Sequence, residues 1–226
     1  MTLYDQTVHK TLNERAIVVI GDVHGRLDLL TNLLEEVAGF GAQVVLLGDY
    51  IDRGTDGVGV LRFVRELVNN PSDLGFSKAT ALMGNHEHMA VIAAETGRTE
   101  DVSLWVQNGG RMEEFPAIKH EFKNWLHYLP VYYEHPKPIY FEGELKNLVC
   151  THASVDPSRS LKHQNLDTLI WDRTVRGYDK NTVLVNGHTP HKRPQFFETM
   201  SGTVLQVDTG AYRTGELSAL VFEEVW

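Results

Sequence analysis

Short apolar runs alternate with amphipathic segments through the first half of the chain. Three of these runs predict buried strands, at residues 16–20, 44–47 and 79–83. Two further segments place apolar side chains at helical spacing, at residues 27–38 and 58–68, and a third helix is predicted at about 87–94. Three successive strand–loop–helix units with short loops predict right-handed crossovers and a parallel sheet.

The second half of the chain carries mainly strand signals. It begins with a predicted helix at residues 118–129, which Pro130 ends. Turn residues then separate six predicted strands, at residues 131–133, 139–141, 148–151, 182–185, 204–207 and 217–222. No internal repeat or linker-like stretch divides the chain. We therefore expect one domain over residues 1–226, with residues 1–14 peripheral and a second sheet packed on the first.

Side chains that can bind metals follow the ends of five predicted strands. The segments are Gly21-Asp22-Val23-His24-Gly25, Gly48-Asp49-Tyr50-Ile51-Asp52-Arg53-Gly54, Gly84-Asn85-His86-Glu87, Thr151-His152 and Gly187-His188-Thr189. The carboxyl ends of parallel strands open into the crevice where α/β sheets bind ligands. Gly and Asp are also ordinary turn residues, so one such motif alone could be a solvated turn. Five of them favour a metal site whose oxygen and nitrogen donors suit Mn, Fe or Zn.

With these motifs the chain resembles the calcineurin-like metallophosphoesterases, and among them the phosphoprotein phosphatase family of serine/threonine phosphatases. The compact bacterial and phage members are the most similar. The resemblance rests on the pairing of Gly-Asp-x-x-Asp-Arg-Gly with Gly-Asn-His-Glu, and residues 105–110, 169–173 and 207–210 extend it. It implies an α/β fold in which two mixed β-sheets pack as a sandwich flanked by helices.

The resemblance also implies a metal set. Asp22 and His24 would hold the first of two divalent ions, and Asp49 would bridge both. The second ion would be completed by Asn85, His152 and His188. Mn2+ is the first expectation for both ions, with Fe or Zn as alternatives.

The remaining motif residues would act on the substrate. The resemblance implies that His86 is the general acid and that Asp52 orients it. Arg53 and Arg173 would bind the phosphate, with Arg176 as an alternative to Arg173 because it lies only three residues away. Arginine suits this task because its planar fork binds phosphate oxygens in pairs.

The implied reaction is hydrolysis of phosphomonoesters of Ser and Thr, with Tyr as a further substrate, by a hydroxide that bridges the metals. Substrates would be phosphoproteins or small phosphoesters. The alternative is a bis(5'-nucleosyl)-tetraphosphate hydrolase or phosphodiesterase on the same fold. Those relatives usually lack the Asp-Arg pair of the second motif and carry Asp where Glu87 stands. A non-catalytic binding protein is disfavoured because every expected metal and acid position is occupied.

Composition narrows the class of partners. A formal charge of −9 without a basic run argues against nucleic acid, and part of the acidity is expected inside the metal site. Cys150 is the only cysteine and lies in an apolar run, so we expect a core residue and no intramolecular disulfide. The N-terminus lacks the basic and apolar regions of a secretory signal, and no apolar run could span a bilayer. We expect a cytoplasmic monomer with no membrane partner.

Overall fold

The structure is a computed structural model that describes residues 2–3 and 13–225. Within that part of the chain the strands are β1 (Thr2–Leu3), β2 (Ala16–Ile20), β3 (Gln43–Leu46), β4 (Lys78–Ala81), β5 (Tyr132–Glu134), β6 (Ile139–Phe141), β7 (Glu144–Thr151), β8 (Thr182–Asn186), β9 (Gln195–Thr199), β10 (Gly202–Gln206) and β11 (Ala219–Glu223). The α-helices are α1 (Leu27–Val37), α2 (Gly57–Asn69), α3 (Asn85–Thr96), α4 (Thr99–Gln107), α5 (Phe115–Ala117), α6 (Lys123–His127), α7 (Leu166–Ile170) and α8 (Ala211–Thr214).

The strands form two mixed sheets. The first has the order β1-β11-β2-β3-β4, in which β2, β3 and β4 are parallel and β11 is antiparallel to β2. The second follows the path β5-β7-β8-β10-β9, with β6 paired to β7 off this path. Its central strands β7, β8 and β10 are parallel, whereas β5 and β9 are antiparallel to their neighbours. The predicted α/β fold with two mixed sheets is therefore confirmed.

The two sheets share one buried core. Successive side chains of a strand point to opposite faces, so alternate residues of β2 serve different layers. Ile17 and Val19 meet Leu148 and Val183 of the second sheet between the layers. The other face of the first sheet packs against the apolar stripes of α1 and α2. Cys150 is fully buried in the intersheet core, as its sequence context predicts.

The predicted elements are present, with shifts at their ends. Helix α3 begins at Asn85, two residues before the predicted start, because the Glu87 carboxylate accepts a hydrogen bond from Gly84 N at 3.0 Å. The helix predicted at residues 118–129 begins with a π-helical turn at Ile118–Phe122, continues as α6 and ends at His127. The sequence pattern did not predict β1, β9, α4, α5, α7 or α8.

The chain termini complete the first sheet. Thr2–Leu3 pairs antiparallel with β11 at its edge, so this part of the segment expected to be peripheral belongs to the sheet. Residues 4–12 of that segment lie outside the described residues. Among the helices of the described chain, none is both long enough and apolar enough to cross a membrane.

Candidate active site

The loops at the carboxyl ends of β2, β3, β4, β7 and β8 meet at one end of the sandwich, and they carry the metal-binding and acid motifs found in the sequence. Eight of the motif side chains are buried, each with at most 5% of its surface exposed: Asp22, His24, Asp49, Asp52, Asn85, His86, His152 and His188. The two predicted phosphate-binding arginines, Arg53 and Arg173, are exposed at the rim. The structure therefore brings all ten predicted positions to the same end of the fold.

The carboxylate of Asp49 lies at the centre of the cluster. Its Oδ2 atom is 3.6 Å from His24 Nε2 and 3.5 Å from His152 Nε2. Two groups of donors suited to a metal ion share it, and within each group the donor atoms lie within 4.8 Å of one another. The groups are His24, Asp49 and His86, and Asp49, His152 and His188.

Asn85 and Asp22 each contact a histidine of the second donor group. Asn85 Oδ1 lies 3.0 Å from His152 Nε2, beside the second group. The Asp22 carboxylate instead accepts the backbone N–H of His188, at 3.1 Å to each oxygen. The sequence motif alone could not indicate this contact, which joins the loop after β2 to the loop after β8.

Backbone carbonyl groups set the tautomers of three imidazoles. His24 and His152 each donate Nδ1–H to a carbonyl, and His188 donates Nε2–H. The accepting oxygens belong to Ile51, Leu47 and Trp171, at 2.9, 3.0 and 3.0 Å respectively. The other ring nitrogen of each histidine therefore presents a lone pair toward Asp49.

These lone pairs are the main evidence that the residues fit metal ions. His152 Nε2 and His188 Nδ1 lie only 3.2 Å apart, although neither carries a proton in this tautomer. Burial lowers the pKa of His24 and of His188 to about 3, so both rings are neutral at pH 7. Burial, with the charges of Asp208 and Asp49, raises the pKa of Asp22 well above its ordinary value. A divalent cation would satisfy the lone pairs and offset the crowded carboxylates.

His86, a member of the first donor group, forms a close pair with Asp52. His86 Nδ1 lies 2.6 Å from Asp52 Oδ2, and the indole N–H of Trp105 donates to both oxygens of that carboxylate, at 2.9 and 3.0 Å. Burial acts to lower the pKa of His86, but the charge of Asp49 and the hydrogen bond with Asp52 raise it above its ordinary value. His86 Nε2 has no hydrogen-bond partner among the described residues and lies 3.9 Å from Asp49 Oδ2.

The arginines differ in what they contact. Arg53 Nη1 lies 2.7 Å from His24 Nε2, and its guanidinium carbon is 5.2 Å from the centre of the Tyr212 ring. Arg173 Nη1 donates to the carbonyl of His188 at 2.8 Å, directly beside the second donor group. Arg176 turns away from that group and pairs with the carboxylate of Asp172, at 3.1 Å.

The backbone of the site is strained. Six non-glycine residues of the described chain have positive φ, and only Glu142 among them lies outside the site. The other five are His24, Asp49, Asp52, Arg53 and His188, with φ between 44° and 70°. Such conformations are unfavourable for residues with a Cβ atom and collect at functional sites.

Two carboxylates without a role in the sequence-based prediction support the loops. Glu87 is fully buried and accepts hydrogen bonds from the backbone N–H groups of Asp49 and Tyr50, at 2.7 and 2.8 Å. Burial raises the pKa of Glu87 to about 8. Asp208 follows β10 and accepts the N–H of Gly210 at 2.7 Å. Both lie inside segments on which the family resemblance rests, and only that resemblance could have indicated a functional role for them from the sequence.

The profile of the calcineurin-like phosphoesterase family matches residues 15–211. The chain belongs to this family. Serine/threonine-protein phosphatase 1 of Salmonella typhimurium is 30% identical over 220 residues, which cover 91% of each chain. A symmetrical bis(5'-nucleosyl)-tetraphosphatase of Marinomonas sp. is 29% identical over 164 residues, covering 70% of this chain and 51% of that protein.

Solved structures agree on the fold. The cold-active protein-tyrosine phosphatase of a psychrophilic Shewanella sp. superposes with a TM-score of 0.59 at 19% sequence identity, over 92% of this chain and 75% of that one. Calcineurin-like phosphoesterases are hydrolases with a dinuclear metal centre, and the two donor groups that share Asp49 are the candidate ligands for such a centre here.

Proposed function

We propose that this calcineurin-like phosphoesterase hydrolyses phosphomonoesters on Ser and Thr side chains, with phosphotyrosine and small phosphoesters as further substrates. One observation carries the proposal: two metal-donor groups share Asp49, and both a histidine–aspartate pair and two exposed arginines contact them. His86 of the pair belongs to the first group, and Arg53 and Arg173 each contact a histidine of the groups. The relatives named serine/threonine-protein phosphatases, which match along nearly their whole length, support the same substrate class.

The metal ions would be held by Asp22, His24, Asp49, Asn85, His152 and His188. Mn2+ is the ion we propose first, with Fe or Zn as alternatives, because the donors are oxygen and imidazole nitrogen without thiolate. A pair of such ions lowers the pKa of a water molecule and neutralises phosphoryl oxygens. The chain's own part is to keep the imidazole donors neutral and to orient them through the carbonyl contacts described above.

His86 would supply the proton that the leaving oxygen requires. An alkoxide leaving from phosphoserine is strongly basic, so a positioned acid helps. His86 is suited to this role because Asp52 holds its Nδ1–H and leaves Nε2 free of any hydrogen-bond partner in the described chain. Because the pKa of His86 is raised, its ring stays protonated to a higher pH than that of a free histidine.

The arginines would bind the phosphate and set its orientation. Arg53 and Arg173 flank the centre from different loops, and each has a guanidinium within 2.8 Å of a histidine of the donor groups. We prefer Arg173 to Arg176 for the second contact, because Arg176 is already paired with Asp172.

A second candidate is hydrolysis of dinucleoside tetraphosphates. It is favoured by the relatives named bis(5'-nucleosyl)-tetraphosphatase, one of which is 29% identical over 70% of this chain. The sequence carries Asp52-Arg53 and Glu87, the positions at which those enzymes usually differ. We therefore rank the phosphomonoesterase first.

The experiment is a turnover panel in Mn2+. Phosphoserine, phosphothreonine and phosphotyrosine peptides are compared with diadenosine tetraphosphate at equal concentration, and kcat/KM is measured for each. We expect the highest value for one of the phosphopeptides. A preference for the dinucleotide would replace the first proposal by the second, and turnover of none of these substrates would reject both.

A further inference from the structure

The segment of residues 105–114 runs along the loop that carries Asp52 and Arg53. Its first contact is the bond from the Trp105 indole N–H to both oxygens of Asp52. Its second is the carbonyl of Gly109, which accepts the backbone N–H of Arg53 at 3.0 Å. The loop that bears the proposed acid orienter and the proposed phosphate arginine is thus supported by one neighbouring segment.

Two further contacts continue this support. Arg111 Nη1 donates to the carbonyl of Gly54 at 2.9 Å. The carboxylate of Glu114 accepts the backbone N–H of Gly57 at 2.8 Å, where α2 begins. These four contacts fix the position of the loop relative to the segment of residues 105–114. The segment therefore determines where the side chains of the loop point.

Trp105 is held rigidly within this segment. Its side chain is fully buried, and its ring centre lies 5.3 Å from that of Phe115. Gly110 packs so closely on the indole that a Cβ atom at that position would lie 2.4 Å from the ring. The indole N–H is therefore fixed in direction, as a positioning group requires.

The carboxylate of Asp52 depends on this N–H. Among the described residues, its only side-chain hydrogen-bond donors are the Nδ1 of His86 and the Nε1 of Trp105. Without the indole, the carboxylate could rotate about its Cβ–Cγ bond while keeping one bond to the imidazole. The imidazole would follow, and His86 Nε2 would no longer have a fixed direction.

We propose that Trp105 is a positioning residue for the reaction, whose indole N–H fixes the Asp52 carboxylate and, through it, the direction of His86 Nε2. The kinetic part of this inference rests on the proposed phosphomonoesterase function. Among the described residues, Trp105 makes its side-chain hydrogen bonds with Asp52 and none with the donor groups. Its effect should therefore depend on how much protonation the leaving group needs.

The test compares Trp105→Phe with the parent protein and with Trp125→Phe. Trp125 is half-buried, packs on Phe122, and makes no side-chain hydrogen bond in the described chain. We expect Trp105→Phe to lower kcat on a phosphoserine peptide about tenfold, because the lost bond is to a charged group. Turnover of p-nitrophenyl phosphate should fall much less, and KM and bound metal should hold. Trp125→Phe should stay within about twofold on both substrates.

A double-mutant cycle separates positioning from simple packing. If Trp105 acts through Asp52, Trp105→Phe should cost less than about twofold in an Asp52→Asn background, since the group it positions is already impaired. A cavity left by the smaller ring would cost the same factor in both backgrounds. Equal costs in the two backgrounds, or equal losses on both substrates, would overturn the proposal.

A spectroscopic measurement decides the point without turnover. In protein labelled with 15N-histidine, the proton on Nδ1 of His86 is identified by its loss in His86→Asn. Trp105→Phe should shift or broaden this resonance, whereas Trp125→Phe should leave it in place. An unchanged resonance in Trp105→Phe would reject the positioning role. If the parent protein hydrolyses no phosphomonoester, the proposed function fails, while this readout still tests the positioning itself.

Discussion

Two clusters of histidine and acidic side chains among the described residues lie at opposite ends of β2, and each is built around buried histidine. The Asp49 cluster lies beyond the carboxyl end of the strand. The His135 cluster lies near its amino end, where His135 Nδ1 meets Tyr133 Oη at 2.8 Å and His135 Nε2 meets Glu224 Oε2 at 2.9 Å. Lys137 Nζ then donates to the other oxygen of Glu224 at 3.0 Å. Both clusters are rich in ionisable groups, yet their chemistry differs.

In the His135 cluster, hydrogen bonds link Tyr133, His135, Glu224 and Lys137 one after another, and each bond joins a donor to an acceptor. Hydroxyl, imidazole, carboxylate and ammonium follow one another, and none of these residues has positive φ. In the Asp49 cluster lone pairs face lone pairs, as between His152 and His188, and the backbone is strained. Burial of a histidine is thus common to structural and functional sites. Converging acceptors, such as His152 Nε2 and His188 Nδ1, are what set the candidate active site apart.

The largest expected effect comes from breaking the Asp49 cluster at its centre. Asp49→Asn should lower kcat/KM on a phosphoserine peptide by on the order of 10³ or more, because metal binding and charge neutralisation both depend on this carboxylate. Metal content should fall in parallel. The metal-free variant should stay folded, because an Asn side chain keeps an oxygen that can accept the backbone N–H of His86, as Asp49 Oδ1 does at 3.1 Å.

Metal analysis and thermal unfolding with and without Mn2+ test this prediction. The parent should gain stability on adding the ion, because a ligand that binds only the folded state raises the unfolding temperature. Asp49→Asn should lose that gain. A purified variant that still holds two ions and turns over normally would show that Asp49 does not bridge them.

The second-largest effect is expected from replacing His86 in the same cluster, which tests whether it acts as the general acid. His86→Asn should cost on the order of 10²–10⁴ in kcat on serine or threonine phosphates, whose alkoxide leaves poorly. An activated ester such as p-nitrophenyl phosphate should be hurt much less, and Asp52→Asn should follow the same pattern more mildly. The measurement is kcat across aryl phosphates of graded leaving-group pKa, with metal content checked in parallel. An unchanged slope would leave His86 as a phosphate-binding residue.

A smaller effect is expected at the rim. Arg53→Lys keeps the charge but loses the planar fork, so kcat/KM should fall about 10- to 100-fold while metal occupancy holds. Arg176→Lys is the matched control, because its guanidinium pairs with Asp172 outside the donor groups. Collapse of metal binding in Arg53→Lys would favour a purely structural role for its contact with His24. A loss of the same size in Arg176→Lys would favour Arg176 over Arg173 as the second phosphate contact.

Local periodicity of apolar residues made part of this fold predictable from the sequence. The alternation of apolar runs and amphipathic helices predicts parallel strands, and parallel strands place Asp22, Asp49 and Asn85 at one edge. Helix α4 was not predicted, because only Trp105 among its residues is buried while Leu104 and Val106 are exposed. Strand β9 was not predicted either, because it is an edge strand without fully buried side chains.

The finer geometry of the site depends on contacts between distant segments. Nothing local to Asp49 or His188 indicates a positive φ, because both conformations are imposed by hydrogen bonds from other loops. The bond from Trp105 to Asp52 joins residues 53 positions apart, so no periodicity could predict it. Sequence motifs identify which residues assemble, whereas their tautomers, orientation and support become visible only in the folded chain.

The smallest effect concerns the His135 cluster, where a change should affect stability alone. His135→Gln should lower the free energy of unfolding at pH 8 by about 1–2 kcal/mol, because one buried and one partly buried hydrogen bond are disturbed. Activity and metal content should hold, since this cluster shares no residue with the donor groups. Asp49→Asn in the same assays supplies the opposite pattern.

The difference in unfolding free energy between the parent and His135→Gln should depend on pH. Burial lowers the pKa of His135, and the charges of Lys78 and Lys137 lower it further. The contact with Glu224 raises the pKa but does not outweigh them, so the folded state favours the neutral ring. The unfolded chain therefore binds more protons below a pKa of about 6.5, and the stability contributed by His135 is complete above that value. It should be lost as the pH falls through about 6.5 toward the lower folded pKa. Urea unfolding of metal-free parent and His135→Gln proteins from pH 8 to 5 should show the gap between them narrowing, and a gap that widens would contradict a neutral, satisfied His135.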